Sequence, residues 1–237
     1  MSQPIFESLT NSVSVARIGG YIANATPKTC LESTSLYFYN LLLSESLYPA
    51  IHLLEITLRN NINEALKITT GQPDWYDLPS LLQVKQITQL AEARAKIAKL
   101  KKVETADQIV SELSLGFWVG LFNASYEHTL WRHYPKLISL TVPRASKYLK
   151  TRDHVSKRLN PIRDLRNRVF HHEPIWIQND LDDVHNKLCE VLRWLNPDMA
   201  QFLLRIDRFK ALRKDNGISI KKELFQSLFV FEEISTL

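Results

Sequence analysis

The sequence predicts an all-α protein, and three observations carry the prediction. Only six of the 237 residues are glycine, too few for a fold that reverses at many tight hairpins. Apolar residues recur at spacings of three and four over much of the chain, whereas no segment alternates apolar and polar residues between hairpin signals. The 45% apolar content is enough to bury a continuous core.

Taken in order, residues 1–30 place Gly19, Gly20 and Pro27 among small polar residues and lack a sustained helical period. They are expected to form an irregular N-terminal arm with at most short helices, loosely attached to a single helical domain over 31–237. From Pro49, the apolar positions Ile51, Leu54, Leu58, Ile62 and Leu66 predict an amphipathic helix with proline in its first turn. After a break at Gly71–Pro79, Gln83–Lys102 reads as a charged, alanine-containing helix whose basic end, Lys96 to Lys102, is a solvated face. Leu113–Tyr126, with Phe117, Trp118, Leu121 and Phe122, reads as a core helix. Further helices are expected over Arg144–Leu159, Pro161–His172, Leu181–Leu195, Pro197–Leu212 and Ile220–Phe231. Asn160 before Pro161 has the form of an N-cap, and Pro174 stops that helix near His172.

Cys30 and Cys189 are the only cysteines and lie far apart, which argues against a disulfide framework and for a reducing compartment. The longest uncharged runs, Ser33–Ser44 and Leu113–Tyr126, fall short of the roughly 20 residues that cross a bilayer, and Met1–Thr10 lacks the pattern of a leader. The expectation is a soluble, cytoplasmic protein with no membrane partner.

The net charge of +5 is unevenly distributed. Between Arg144 and Arg168 stand nine basic residues (Arg144, Lys147, Lys150, Arg152, Lys157, Arg158, Arg163, Arg166 and Arg168) and two acidic ones (Asp153 and Asp164), a local +7. The rest of the chain is therefore slightly acidic. Such a concentration is the footprint of a polyanionic partner whose phosphates meet Arg and Lys, and it is also what a solvated helix pair would carry. Within this stretch Ile162, Leu165 and Val169 share an apolar face, which leaves Arg163, Asn167 and His171 four apart along another side.

Arg166-Asn167-Arg168-Val169-Phe170-His171 matches the R-N-x-x-x-H signature of HEPN domains, which are helical ribonuclease modules. The wider context resembles the Abi-like (AbiD/AbiF-type) branch of abortive-infection proteins. Three blocks carry the likeness, in order: Leu54–Asn60, Leu113–Trp118 ending in Tyr126-Glu127, and Ile162–Pro174. The resemblance covers about residues 31–200 and implies a HEPN-like helical bundle with additional helices. It also implies metal-independent endoribonuclease activity in bacterial antiphage defence, with no cofactor. In that chemistry His171 moves a proton at the attacking 2′-hydroxyl or the leaving oxygen, Arg166 stabilises charge on the scissile phosphate, and Asn167 orients the imidazole or the phosphate. HEPN sites are usually composite across a homodimer. Residues five apart lie about 140° apart around a helix, so Arg166 and His171 of one copy do not share a face.

Arg163 and His172 stand beside the motif as possible helpers, and His172 competes with His171 as the working base. Where HEPN toxins regulated by nucleotidyltransferases often carry tyrosine, this chain has Glu173, so that control is not supported. Glu55, Arg59 and Asn60 read either as an i,i+4 ion pair with a neighbouring amide or as a buttress for the catalytic helix. His128 and His133 are five apart and His171, His172 and Glu173 are contiguous, so neither set has the H-E-x-x-H arrangement of a zinc site. The five tryptophans, Trp75, Trp118, Trp131, Trp176 and Trp194, read as core or interface aromatics. A non-catalytic RNA-binding protein of the same fold is the alternative, with RNA again the partner; a DNA-binding regulator is disfavoured because no helix-turn-helix is visible.

Overall fold

A computed structural model describes residues 3–235, with side chains from 6 to 226. The described residues contain helices and turns and no strand. In chain order the helices are α1 (Gln3–Val13), α2 (Val15–Asn24), α3 (Cys30–Thr70), α4 (Val84–Lys99), α5 (Ala106–Glu112), α6 (Leu115–Gly120), α7 (Leu137–Thr141), α8 (Arg152–Phe170), α9 (Leu181–Leu195), α10 (Pro197–Ile206), α11 (Phe209–Asp215) and α12 (Ile218–Ser235). The all-α expectation therefore holds.

Two compact units form. One takes the residues up to Tyr48, His172–Asn179 and those from Asp207 onward; the other takes Pro49–His171 and Asp180–Ile206. The arm expected over 1–30 holds two short helices, as expected, but its loose attachment is corrected. α1 and α2 belong to the same unit as residues 31–48, and Ile18 and Tyr21 of α2 are almost completely buried. Gly19 and Gly20 hid α2 from the pattern, since each glycine costs a helix about 1 kcal/mol relative to alanine and obscures the period.

In the first unit the Tyr21 ring stacks on Trp176 at 6.4 Å and meets Tyr37 edge-on at 5.5 Å. Asn40 closes the segment after α8. Its side-chain oxygen accepts the amides of Ile175 (2.7 Å) and Trp176 (3.3 Å), and its amide donates to the Glu173 carbonyl. Gly217, at φ 78°, starts α12 where a side-chain carbon would stand 3.2 Å from the Tyr39 ring, so both conformation and space select glycine there.

In the second unit Leu54, Leu58 and Ile62 of α3 are fully buried, as are Trp75, Phe117 and Trp118. Polar anchors fix the packing. Asn63 accepts the Trp75 indole N–H at 2.9 Å, while Asn61 donates to the carbonyls of Thr141 and Leu195. α8 packs against α9; α8 buries Val155, Leu159, Ile162 and Leu165, and α9 buries Leu188, Val191 and Leu192.

Both internal prolines correct the expected boundaries. Pro49 lies in the middle of the 41-residue α3 and Pro161 in the middle of α8, where each forfeits a backbone hydrogen bond. The helices continue because the buried stripe is uninterrupted across each proline: Leu43, Leu47, Ile51, Leu54 and Leu58 in α3, and Val155, Leu159, Ile162, Leu165 and Val169 in α8. The N-cap of α8 is Thr151 rather than Asn160. The residues before it, expected to be helical from Arg144, form short turns instead.

α3 is also long and apolar enough, by length and composition alone, to cross a membrane. The uncharged runs understated it because Glu32 and Glu45 interrupt them. Leu43, Leu47, Leu54 and Leu58 on this helix are buried within the protein, whereas Leu41 and Tyr48 are exposed.

Candidate functional site

α8 positions the motif. Thr151 caps its start by accepting the His154 N–H, and the buried stripe sets its rotation. At the other end the His171 N–H donates to the Asn167 carbonyl at 2.9 Å, and His172 turns into the left-handed region at φ 58°. This is a left-handed C-cap, and it leaves Asn167 and Arg168 on the last turn, Arg166 just before it and His171 at the cap.

Arg166 is held on two sides. Its Nε lies 3.4 Å from Glu55 Oε2, and its guanidinium sits 4.3 Å above the centre of the Phe170 ring. The other Glu55 oxygen accepts the Leu115 N–H at 3.2 Å, the first amide of α6, whose N-cap is Ser114. A single carboxylate thus joins one residue from each of the three sequence blocks. Of the two readings of Glu55, the geometry selects the buttress over the i,i+4 pair. Arg59 turns to its neighbour Asn60 at 3.2 Å, so these two stand beside the junction without entering it.

The other motif side chains face outward. Asn167 and His171 are exposed and take no protein partner among the described residues, which leaves one amide and one imidazole available to a ligand. Arg163 pairs with Asp164 at 2.9 Å. His172 belongs to the first unit. Its carbonyl accepts from Arg17, and its side chain lines a cavity of about 320 Å³ with Arg17, Tyr21, Tyr37, Asn40 and Ser44.

The basic stretch divides into braces and open cations. Arg152 donates to Glu127 at 2.6 Å and to the Phe122 carbonyl at 2.8 Å, with only 13% of its side chain exposed. That hydrogen bond holds the Glu127 carboxyl below the usual carboxylate range, with Arg132 adding to the effect. Arg158 pairs with Glu190 at 2.7 Å and lies over the Trp194 ring at 4.7 Å. Arg152 and Arg158, both expected as RNA contacts, each meet a carboxylate supplied by another element, as Arg166 does. Lys157 pairs with Asp153, and Lys150 donates to the Pro143 carbonyl. Arg144 and Lys147 are exposed with no side-chain partner among the described residues, and Arg168 is exposed on α8.

Two of these features were beyond sequence reasoning. The Glu127–Arg152 pair joins residues 25 apart and the Glu190–Arg158 pair residues 32 apart, and no local spacing announces either. Trp75, Trp118, Trp131 and Trp194 are buried, in line with their reading as core aromatics. Comparison with protein-family models, with curated proteins and with solved structures finds no match to this chain.

Proposed function

We propose that this chain is a metal-independent endoribonuclease of the HEPN, Abi-like type, acting in the cytoplasm in bacterial antiphage defence. Arg166, Asn167 and His171 carry the reaction. His171 moves a proton at the attacking 2′-hydroxyl or at the leaving oxygen, Arg166 stabilises charge on the scissile phosphate, and Asn167 orients the imidazole or the phosphate. Attack by the 2′-hydroxyl leaves a 2′,3′-cyclic phosphate. The site is composite, completed by a second copy in a homodimer.

The observation that supports this reading best is the Glu55 junction. It fixes Arg166 on a rigid frame while Asn167 and His171, on the same helix end, stay open to solvent. Positioned cations beside free proton-transfer groups are what phosphodiester cleavage without a metal requires. The test is cleavage of single-stranded RNA by wild type and by His171→Ala. Loss of about 10²- to 10⁴-fold is expected on removing a general acid or base. Folding should be unchanged, because His171 is exposed. EDTA should leave the chemical step intact; a strict divalent-ion requirement in that step defeats the reading.

One observation favours a second reading, a non-catalytic RNA-binding protein of the same fold. Arg166 is already neutralised by Glu55 and covered by Phe170. In that reading the arginine is structural, and His171→Ala alters neither binding nor any cleavage.

A further inference from the structure

The segment that leads into α8 holds a feature the motif does not account for. Tyr148 is 73% exposed. It lies in a single 3-10 turn, Lys147–Leu149, on a segment that is otherwise tightly braced. The Arg144 amide donates to the Trp194 carbonyl at 3.0 Å and the Leu149 amide to the Ser146 carbonyl at 2.9 Å. The Lys150 ammonium folds back onto the Pro143 carbonyl at 2.9 Å. Val142 and Ala145 are buried beneath. The ring is therefore presented on a fixed support rather than on a loose loop, which lowers the entropy a ligand must overcome in ordering it.

The surroundings specify the ligand. Residues 142–151 contain Arg144, Lys147 and Lys150 and no acidic residue. Arg144 and Lys147 keep their charges unpaired among the described residues. An exposed aromatic face flanked by free cations fits a chain of phosphates carrying unpaired bases, since every base has a face to stack and every phosphate a charge to meet. A protein partner would be expected to cover an apolar patch, whereas Tyr148 is the one aromatic residue of 142–151 and follows Lys147 directly.

We propose that Tyr148 is a stacking platform for an unpaired base of RNA, an anchor distinct from the Arg166-Asn167-His171 site. The proposal rests on the RNA-binding reading of this chain. Arg166 stands fourteen positions after Arg152, the first residue of α8. At a rise of about 1.5 Å per residue that is about 21 Å. A strand that keeps its bases stacked advances about 3.4 Å per nucleotide, so this stretch of α8 corresponds to about six nucleotides of stacked RNA. Tyr148 thus selects for length and single-strandedness, not for sequence.

The test is equilibrium binding to unstructured 2′-O-methyl RNA, which lacks the attacking hydroxyl and cannot be cut by this chemistry. Probes of about 20 and about four nucleotides separate the anchor from the motif site. Tyr148→Ala should weaken binding of the long probe about tenfold, leave the short probe unaffected, and leave the salt dependence unchanged because no charge is removed. Tyr148→Phe should bind like wild type, since it keeps the ring. Unchanged affinity of Tyr148→Ala for the long probe overturns the proposal, as does a Phe variant as weak as the Ala one, or an equal loss for both probes. Failure of the wild type to bind either probe at low salt removes the RNA reading itself, and the platform with it. Normal wild-type binding with an unaffected Tyr148→Ala removes the platform alone.

Discussion

Glu55 Oε2 lies 3.4 Å from Nε of Arg166, a bond between residues 111 apart in sequence, and the same carboxylate receives the first amide of α6. Glu55 is thus a positioning residue for the arginine. Its negative charge also opposes an incoming phosphate. Glu55→Gln should therefore bind RNA at least as tightly as wild type and yet cleave it about tenfold more slowly or worse, because a misplaced group costs more in the transition state than in binding. Glu55→Ala should in addition lower stability by about 1–3 kcal/mol, since the half-buried Leu115 amide loses its acceptor. Single-turnover cleavage, filter binding and thermal melts separate the three effects.

A composite site makes a prediction about mixtures. Arg166→Ala and His171→Ala should each be inactive alone. Refolded together in equal amounts, they form heterodimers in which one of the two sites draws its arginine and its histidine from the unmutated positions of opposite chains. About one quarter of wild-type activity should return. No recovery, with heterodimers verified by mass, means that each chain carries its own complete site.

Arg144 and Lys147 should matter to RNA binding, and Arg158 to folding. Arg144→Gln with Lys147→Gln should weaken RNA binding and make the slope of log affinity against log salt shallower by about 0.7 for each phosphate that no longer meets a cation. Arg158→Gln removes the partner of Glu190 and the cover over Trp194, so its effect should appear in the melting temperature. A titration at several salt concentrations distinguishes the two behaviours.

Glu127 supplies a pH dependence of stability. The hydrogen bond from Arg152 lowers its carboxyl from an ordinary value of 4.5 in the folded chain. The unfolded chain therefore takes up this proton at higher pH than the folded one. The contribution of the pair is fully present above about pH 4.5 and is lost as the pH falls through the depressed folded value. Glu127→Gln should be less stable than wild type at neutral pH, and the difference should narrow in acid, as melting temperatures across that range will show.

The helical class and most of the core were legible because apolar spacing is a local property. Leu54, Leu58 and Ile62 in α3 and Ile162, Leu165 and Val169 in α8 lie inward as their periods require. The helix starts at Pro49 and Asn160-Pro161 were misread for a physical reason: proline is weighed locally, whereas the stripe that carries a helix through it is buried by distant residues. The motif on α8 was legible as a pattern. A buttressing role for Glu55 was one of two readings, and its partner Arg166 was not legible, because a polar position four residues from an arginine on its own helix also has a local partner to offer. The partition of the basic stretch into braces and open cations was invisible, since the carboxylates that claim Arg152 and Arg158 come from other elements.

The left-handed turn at His172 gives the two neighbouring histidines opposite mutational tolerances. At position 172 the backbone itself filters substitutions. Glycine should be neutral or stabilising by up to about 1 kcal/mol, asparagine should be accepted, and valine or isoleucine should be selected against even in a library screened for folding alone. At position 171, where the backbone is ordinary and the side chain exposed, such a screen should accept nearly every residue. A screen for toxicity or cleavage should then collapse position 171 to histidine and leave the glycine and asparagine variants at position 172 standing. The contrast between the two screens assigns the working imidazole without a single purified protein.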